Sequence, residues 1–567
     1  MMRKINIQII AATLFILAFA GCESFLDTES FTKKNTSNFP TSQDEAEQMI
    51  TGIYLVMNDL IRDPEEHPFM IYDIASDDRL GGGSTSNVGA QSMDRLLNNK
   101  ISWLENLWET RYAGIFRANN ALETLDNIET WSDAKVKQRL LAETHFLRAF
   151  FYLDLIQIFG EVPLKLSTEP ENIPKNSADE VYAQIGYDLE QAIALFPSDP
   201  FPQYGNGHAS KWAAQALMAR AFMFYTGFYS KASLPVAGGG EVTKQQVISY
   251  LEDCIANSGH SLVSDQRNLW PYTNVYTAAD YDYVSDNGLV WEGDNSKETL
   301  FAMKFANSGV NGYFNRIIEY YNMRLTNASS FPFTAQGYSN GPVNTNLWND
   351  WAEDPDYAGD YRRVGSILNE EDEIPDFAGD RTKEVEKTRL WAKKYLGVSA
   401  YEGSNLIQTF GYFYGGPNNR QGGLNNDLIL IRFADVYLMH SELSQTDTYL
   451  NRVRARADLP PVAYSLEAIK KERRYELCFE ALRWNDLRRW GDAQKIVENQ
   501  EGLDITNRGV PGKYTFGSFD YMQRYSATGG GFWKIPDSQI TLSEGVLEQN
   551  PGWDDTYTFK SLPYYSN

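Results

Sequence analysis

Cysteine is scarce in this sequence: 567 residues contain three, at positions 22, 254 and 478. So few exclude the disulfide framework that stabilises many exported domains. Cys254 and Cys478 lie within apolar helical patterns, and we expect both to be buried thiols. No two cysteines stand at metal-ligand spacing, and the five histidines show no H-E-x-x-H arrangement, so the sequence indicates no zinc site.

Positive charge is also in short supply. The chain has 51 Lys and Arg against 75 Asp and Glu, a formal net charge of -24, and no basic cluster stands out. Because phosphate binding needs a Lys- and Arg-rich face, we expect no nucleic-acid partner. The sequence has no G-x-S-x-G nucleophile elbow, and no Lys-Ser or Lys-Thr follows the three glycines at 81–83, so it predicts neither that hydrolase motif nor a phosphate loop.

An apolar run at the N-terminus is too short to cross a bilayer, which takes about 20 apolar residues. Arg3 and Lys4 precede the run at 9–20, small residues precede Cys22, and the chain turns polar directly afterwards. This pattern predicts a lipoprotein signal peptide over 1–21, lipidation of Cys22 and a polar tether over 22–40. Phe19 stands where Leu is usual, so an ordinary secretory signal is the alternative.

Amphipathic helices are predicted in succession through residues 41–260. Apolar residues recur at helical spacing after Thr41 or Ser42, and then over 104–127, 133–159, 178–195, 209–228 and 244–258. Small residues among large ones, as at Ala213, Ala214 and Ala221, are typical of closely packed helical hairpins. We therefore predict a mainly α fold whose N-terminal region, 41–260, consists of tetratricopeptide-like hairpins.

The C-terminal region, 261–567, begins differently. From 262 to 423 short aromatic stretches alternate with Gly, Asn, Pro and Asp, and so long an irregular region is usually functional. Helices are predicted again over 427–443, 446–457 and 466–490. The chain has 34 Tyr, 30 Phe and 13 Trp, more than most cores require, so we expect some of these rings to face a ligand.

Several segments, in order along nearly the whole chain, carry a family resemblance. They are CESFLD from Cys22, WETRYAGIFRAN at 108–119, ETHFLRAFFYLDLIQIFGEVP at 143–163, IRFADVYLMHSEL at 431–443, ERRYELCFEALRWNDLRRWG at 472–491 and the stretch from Trp533 to Trp553. Together they resemble the SusD/RagB lipoproteins, which bind nutrients at the outer-membrane surface of Bacteroidetes. Ala481 departs from the family pattern, since Gly is common there.

The resemblance implies a function and a location. It implies a lipid-anchored protein exposed at the cell surface on the outer membrane, an oligosaccharide or polysaccharide ligand, and a SusC-like TonB-dependent transporter that receives the ligand. It also implies helical hairpins with a loop-rich portion that carries the ligand. We therefore expect a glycan-binding protein that is not an enzyme and needs no cofactor.

Two loop regions combine aromatic with polar residues, as a surface that stacks on sugar rings and bonds their hydroxyls would require. Core packing is an equally good explanation for any single aromatic residue. The candidate ligand residues are Asp77, Asp78, Arg79 and Trp103 in the first region, and Trp291, Tyr320, Tyr321, Asn322, Tyr338, Trp348 and Trp351 in the second.

Three alternatives stay open. Glu472, Glu476 and Glu480 recur every four residues, and paired carboxylates could serve a surface glycoside hydrolase, although a packed helix explains them better. The hairpins could instead grip a peptide, as in a peptide-binding lipoprotein of the RagB type. A structural calcium ion is conceivable at Asp350, Asp354, Asp356 and Asp360, but turn-forming aspartates account for that spacing more simply.

Overall fold

The structure, a computed structural model, describes residues 39–59, 63–97, 104–202, 207–305, 314–419, 425–517 and 520–553. Within these residues the chain is mainly helical, which confirms the predicted fold class. The helices are α1 Gln43–Asp59, α2 Pro68–Ile74, α3 Val88–Asp94, α4 Glu105–Thr124, α5 Ala134–Phe159, α6 Ala178–Leu195, α7 Lys211–Phe228, α8 Lys244–Asn257, α9 Val275–Ala278, α10 Asp282–Asp286, α11 Arg316–Tyr321, α12 Thr345–Glu353, α13 Arg362–Ser366, α14 Glu370–Glu373, α15 Phe433–Ser444, α16 Thr448–Arg456, α17 Leu466–Glu476, α18 Arg483–Trp490, α19 Gln494–Gln500, α20 Tyr521–Ala527 and α21 Asp537–Leu542.

The strands are short and pair antiparallel, two by two. β3 pairs with β8, and every other strand pairs with its neighbour in the sequence. The strands are β1 Leu234–Pro235, β2 Glu241–Val242, β3 Thr299–Met303, β4 Ile367–Asn369, β5 Leu390–Ala392, β6 Ala400–Glu402, β7 Asn405–Ile407, β8 Leu428–Arg432, β9 Asp504–Asn507 and β10 Val510–Lys513.

The long N-terminal helices begin where the sequence supplies caps. The Asp133 carboxylate accepts the backbone N–H of Lys135 at 2.9 Å, one residue before α5. Ser177 and Glu180 form a capping box at the start of α6, and Thr243 caps α8. Each of the helices α4 to α7 packs on the next one along the chain. The predicted stack of hairpins is therefore present.

Close helix packing depends on small residues. A Cβ placed on Gly114 of α4 would lie 2.4 Å from the Phe151 ring of α5, so only glycine permits this approach. Ala213, Ala214 and Ala221 of α7 are fully buried, as the sequence pattern predicted. Small side chains thus set the spacing between the helices.

One hydrophobic core runs through both predicted regions, from Ala46 to Trp553. We call the C-terminal helices α15 to α18 the closing helices. α15 packs on α8 and α18 packs on α7, so the closing helices complete the N-terminal stack. The guanidinium of Arg220 on α7 pairs with Asp435 on α15 at 2.8 Å. The division of the chain at residue 260 stays a prediction about sequence regions, because the core is continuous across it.

Two closing helices differ from the sequence prediction. The segment predicted as a helix from 427 begins as strand β8, and its apolar run Leu-Ile-Leu-Ile fits either element until the pairing with β3 decides. The predicted helix 466–490 is two helices, α17 and α18. Phe479 and Ala481, with φ of +65° and +61°, break it between them.

Residues 1–38 and 98–103 lie outside the described residues, and with them the signal peptide, Cys22 and Trp103. The predictions for lipidation and for Trp103 therefore stay predictions. Over the ranges that the structure describes, no helix combines the length and the apolarity needed to cross a membrane.

Candidate functional site: an aromatic surface platform

Aromatic side chains of the irregular region gather at one place on the surface. Tyr276 and Phe413 stack with their ring centroids 4.2 Å apart and an angle of 9° between their planes. Tyr414 stands perpendicular to Tyr276 at 5.8 Å and to Trp291 at 6.3 Å. We call Tyr276, Trp291, Tyr412, Phe413 and Tyr414 the aromatic platform. Tyr276, Tyr412 and Tyr414 are 36%, 38% and 48% exposed, which leaves ring surface available to a ligand.

Buried polar groups hold Tyr276 in place. The side-chain oxygen of Asn274 accepts the backbone N–H groups of Tyr276 and Thr277 at 3.0 Å each, which caps the short helix α9. Asn274 is 1% exposed, and the Thr277 hydroxyl donates to the Ser399 carbonyl at 2.8 Å. The exposed ring therefore projects from a fixed backbone.

Tyr412, Phe413 and Tyr414 lie on a 3₁₀ turn at 410–414. Its first residue, Phe410, is 1% exposed and donates its backbone N–H to the Val398 carbonyl at 2.8 Å. Its ring meets the half-buried Trp291 ring edge-on at 5.5 Å. The turn ends at Gly415, whose φ of +86° favours glycine. The buried Phe410 thus anchors the turn on which Tyr412 and Tyr414 are exposed.

Two acidic residues, the half-buried Asp294 and the buried Asp427, lie close to Trp291. The backbone N–H of Asp427 donates to the Asp294 carboxylate at 3.1 Å, and the Lys304 ammonium binds both the Asp294 carbonyl, at 2.6 Å, and the Asp427 carboxylate. Burial, reinforced by Asp294, raises the pKa of Asp427 to about 8 despite Lys304. These contacts tie the segment that carries Trp291 to the start of β8.

The platform matches the chemistry of a sugar ligand. Sugar rings are apolar on their C–H faces and polar at their edges, so open aromatic faces beside polar groups suit them. Exposed polar residues lie close in sequence to the rings: Glu292 follows Trp291, and Asn418 follows Tyr414 by four residues. The arrangement can bind without any reacting group.

Of the sequence-predicted ligand residues, Trp291 is the one that the structure places in the platform. Tyr320 and Tyr338 form a separate half-buried pair with their ring centroids 4.9 Å apart. The Arg363 guanidinium covers the Trp348 ring at 3.9 Å, so one face of that indole is closed to a ligand. These three aromatics stay predicted contacts at other places on the surface.

Six predicted ligand residues lie in the interior, each at most 1% exposed. The Tyr321 hydroxyl donates to Asp73 at 3.0 Å, and the Asn322 side chain accepts the Gly397 N–H at 2.8 Å. The Trp351 ring stacks on Tyr475 at 4.5 Å. A glycan on the surface has no access to them, so their assignment as ligand contacts is corrected. The six are Asp77, Asp78, Arg79, Tyr321, Asn322 and Trp351.

The loop that follows α2 is fixed to the closing helices α17 and α18 by Asp77 and Asp78, and Arg79 packs beside them. Asp77 pairs with Arg483 at 2.7 Å and Asp78 with Arg474 at 2.8 Å. Burial would raise the pKa of Asp77, but Arg483 and Arg474 outweigh it and hold that pKa well below its usual range. The Arg79 guanidinium lies between the rings of Tyr321 and Phe479, at 4.0 and 4.8 Å. These charges are structural anchors.

The glycine run at 81–83 makes its close approach to the protein itself. A Cβ on Gly81 would lie 2.6 Å from the Gln91 backbone, and one on Gly82 would lie 2.2 Å from Pro342. The two backbone N–H groups donate to the carboxylates of Asp94 and Glu386, at 2.8 and 2.9 Å. The glycine run is therefore packed against other segments of the same chain.

The glutamates considered for catalysis belong to a buried network of charges. Arg432 pairs with Glu298, Glu476 and Glu480 at 2.8, 2.5 and 2.6 Å, and Arg362 pairs with Glu472 and Glu476 at 2.6 and 2.8 Å. Burial would raise the pKa of Glu476, but Arg456, Arg432 and Arg362 outweigh it and hold that pKa well below its usual range. A general acid needs the opposite shift. We call Glu298, Arg362, Arg432, Arg456, Glu472, Glu476 and Glu480 the arginine–glutamate network.

The four aspartates considered for calcium serve turns and ion pairs. Asp354 caps the 3₁₀ turn Pro355–Tyr357 and pairs with Lys471, and Asp360 pairs with Arg362 at 2.8 Å. Among the residues that the structure describes, no group of three or more His, Cys, Asp and Glu could hold a metal ion. Cys254 and Cys478 are buried as predicted, and burial raises the pKa values of their thiols to about 12 and about 11.

Sequence reasoning missed most of the platform: Tyr276, Tyr412, Phe413 and Tyr414. A signal was present, because Phe410 to Gly416 read FGYFYGG, four aromatics in five residues before two glycines. Trp348 and Trp351, which were predicted instead, lie on the amphipathic helix α12, and its periodicity predicts one buried face.

Comparison with known proteins gives family matches over most of the chain. The sequence model of the SusD family matches residues 297–553. A second model, described as "Starch-binding associating with outer membrane", matches residues 24–223. SusD-like protein P25 of Formosa agariphila is 24% identical over 544 residues, which cover 87% of this chain and 92% of that protein.

Solved structures share the fold over nearly their whole length. A laminarin-binding SusD-like protein has a TM-score of 0.68 at 24% identity, covering 90% of this chain and 99% of that one. Surface glycan-binding protein A from Bacteroides thetaiotaomicron, in complex with laminarihexaose, has a TM-score of 0.65 at 18% identity, covering 89% of this chain and 99% of that one. At these identities the likeness establishes the fold.

Proposed function

This chain belongs to the SusD/RagB family, and we propose that it is a cell-surface glycan-binding lipoprotein. It captures an oligosaccharide or polysaccharide and delivers it to a SusC-like TonB-dependent transporter. The observation that carries the proposal is the aromatic platform. Three exposed tyrosines and the half-buried Trp291 occupy one surface, held by buried contacts.

Binding without turnover agrees with the described chemistry. The platform offers stacking faces and hydrogen-bonding edges, and the family likeness is to proteins named for glycan binding. The carboxylates considered for hydrolysis pair with arginines in the interior, away from any surface glycan. No described observation favours a hydrolase over a binding protein.

The experiment that tests the proposal screens residues 23–567 against a polysaccharide panel by calorimetry. Laminarin heads the panel because a similar solved structure is a laminarin-binding protein. We expect saturable binding to one glycan class, weakened roughly five- to tenfold by Tyr276→Ala and by Trp291→Ala, since each aromatic contact contributes about 1 kcal/mol. Phe116→Ala, which removes a 50% exposed ring elsewhere, is the matched control.

Other outcomes would revise the proposal in definite ways. Unchanged affinity in both platform variants would show that the glycan binds elsewhere, with Tyr320 and Tyr338 tested next. Release of reducing sugar by the pure protein would establish hydrolysis. If no glycan of the panel bound, glycan binding by the isolated chain would be ruled out.

The anchor and the location need separate tests. In cells grown with labelled palmitate, the wild-type protein should incorporate label and Cys22→Ser should not. Protease added to intact cells should degrade a protein exposed at the surface and spare one that faces the periplasm. Co-purification with a TonB-dependent barrel from solubilised membranes would support the transporter partner.

A further inference from the structure

A groove separate from the platform lies on the N-terminal stack. It is about 540 Å³ in volume and runs between α4, the segment 163–173, α21 and the residues that follow α21. It shares no residue with the aromatic platform. Its lining includes Trp108, Tyr112 and Asn119, which lie in the segment 108–119 that carries the family resemblance.

The walls of the groove are fixed to one another. The Tyr112 hydroxyl donates to the Pro163 carbonyl at 2.8 Å, and the Asn119 amide donates to the Lys165 carbonyl at 3.1 Å. On the other side, the Asn172 amide donates to the Ser543 carbonyl at 2.8 Å. These bonds join three segments that are distant in sequence, so the groove is formed before any partner arrives.

The groove presents apolar side chains to solvent. Phe116 on α4 is 50% exposed and Leu542 at the end of α21 is 73% exposed. Both line the groove, together with aliphatic residues of the neighbouring segments. Exposed large apolar side chains that share one concavity are typical of a site that binds another molecule.

The rim of the groove is acidic. Glu109, Glu169 and Glu171 line it and are exposed, and among the described residues none of the three forms an ion pair. Lys165 is the one lysine in the lining, and its ammonium group donates a hydrogen bond to the backbone carbonyl of Glu171. The groove therefore favours a partner that carries positive charge.

The groove differs from a sugar-binding surface in its aromatic rings. The Trp108 ring is 5% exposed, because Tyr112 and Phe159 pack on it with ring centroids at 5.0 and 5.2 Å. Phe116 is the one strongly exposed ring in the lining. A single phenyl ring among aliphatic side chains suits an apolar side chain better than a row of sugar rings.

We propose that this groove docks an extended peptide segment of a partner protein in which apolar side chains stand next to lysine or arginine. The apolar side chains pack against Phe116 and Leu542, and the cationic groups face the rim carboxylates. The proposal concerns a different surface from the platform, so it can be tested independently of glycan binding.

The test measures fluorescence anisotropy of labelled dodecapeptides mixed with residues 23–567. The probe alternates Lys with Leu or Phe in a Gly-Ser background. One control peptide replaces Lys by Glu, and another replaces Leu and Phe by Ser. We expect saturable binding of the probe alone, weakening as salt is added because the rim charges are exposed.

Variants assign the binding to the groove. Phe116→Asp combined with Leu542→Asp should weaken probe binding at least roughly tenfold, as loss of a central apolar contact does. Glu169→Gln combined with Glu171→Gln should weaken it by about two- to fivefold, as expected for exposed charge pairs. Tyr276→Ala on the platform should leave it unchanged. All five side chains are exposed, so thermal unfolding should confirm that each variant folds.

Several results would overturn the proposal. They are no saturable binding of the probe, equal binding of the Glu peptide, or binding that both groove variants retain. Loss of glycan affinity in Phe116→Asp, with Tyr276→Ala unaffected, would instead show that the groove is the glycan site. That result would contradict this proposal and the platform together, whereas loss of peptide binding alone leaves the platform intact.

Discussion

The helical region, residues 43–257, and the irregular region, residues 262–423, hold their backbones in different ways. In the helical region the long helices satisfy their own backbone groups, and side-chain caps such as Ser177 and Thr243 complete their ends. In the irregular region, among described residues, the longest helix is α12 with nine residues. Buried cations that pair with carboxylates hold this region, among them Arg362, Lys393 and Lys394.

The difference explains where a binding surface can form. A loop that is free of helical periodicity can direct several aromatic rings to one side, as Tyr276 and Tyr414 show. Such a loop needs other contacts to stay ordered, and the arginine–glutamate network supplies them by joining Glu298 and Arg362 to the closing helix α17. The irregular region thus relies on buried ion pairs where long helices are absent, whereas the helical region combines long helices with buried pairs such as Arg148–Asp188.

The largest expected effect tests this comparison at the network. Arg432→Met should lower the free energy of unfolding by about 3–5 kcal/mol, because it leaves buried carboxylates without their cation. Removal of a helix cap in the other region, Ser177→Ala, should cost only about 1 kcal/mol. Denaturant unfolding followed by circular dichroism measures both.

An exposed ion pair is the control for the network. Lys513 and Asp504 pair at 2.7 Å with side chains 62% and 87% exposed, so Lys513→Met should cost less than about 1 kcal/mol. If Arg432→Met cost no more than Ser177→Ala, buried charges would not be what stabilises the irregular region.

A second prediction sharpens the comparison within the helical region. Gly114→Ala on α4 should destabilise by roughly 1–3 kcal/mol, because the new methyl group would lie 2.4 Å from the buried Phe151 ring. Gly52→Ala on α1 has no atom within 4 Å and should stabilise by about 0.5–1 kcal/mol, through helix propensity alone. Equal effects in thermal unfolding would mean that α4 and α5 can move apart at little cost.

Stability should also depend on pH through Asp94, whose carboxyl group accepts the backbone N–H of Gly81. Burial, reinforced by Glu386 and opposed by Arg95, raises the pKa of Asp94 from 3.8 to about 7. A carboxyl group with a raised pKa stabilises the fold below its unfolded pKa, and that contribution is lost as pH rises toward 7. Asp94→Asn cannot titrate, so its melting temperature relative to wild type should be lowest near pH 5 and should rise toward pH 8.

Asp435 provides the opposite case. Burial would raise its pKa, but Arg220 and Arg473 lower it to about 2. Its stabilising contribution is present above the unfolded pKa and is lost only as pH falls toward 2. The melting-temperature deficit of Asp435→Asn should therefore be constant from pH 5 to pH 8. A constant difference for Asp94→Asn over the same range would contradict the raised pKa.

The helical region could be predicted from the sequence because local signals decide it. Periodic apolar residues predicted the bounds of α5 and α6 to within one residue, and the structure shows local caps, Asp133 and Ser177, at their starts. The start of β8 could not be predicted, because an apolar run becomes a strand only when a partner, β3, lies beside it. The break after α17 was also missed, since no glycine marked it.

The site was less predictable than the fold. Sequence patterns showed that aromatics of the irregular region would be exposed, but not which ones, because exposure depends on contacts between distant segments. Asn274 positions Tyr276 beside a turn more than 130 residues further along the chain. Trp351 looked like a binding residue, yet it stacks on Tyr475 in the interior. A tyrosine or tryptophan in a loop therefore defines a class of candidates and not a site.

The smallest expected effect concerns the break between α17 and α18, where the irregular backbone enters the helical layer. Ala481 has φ +61°, a conformation that costs an ordinary residue about 1–2 kcal/mol and glycine almost nothing. Glycine loses more freedom on folding, by about 0.5–1 kcal/mol, so Ala481→Gly should stabilise by only about 0.5 kcal/mol. Ala455→Gly on an exposed face of α16 should instead destabilise by about 1 kcal/mol. Opposite signs in denaturant midpoints would show that the backbone at Ala481 is strained, next to Glu480, whose carboxylate binds Arg432 and Lys394. Two losses of similar size would show that the alanine fits the break without strain.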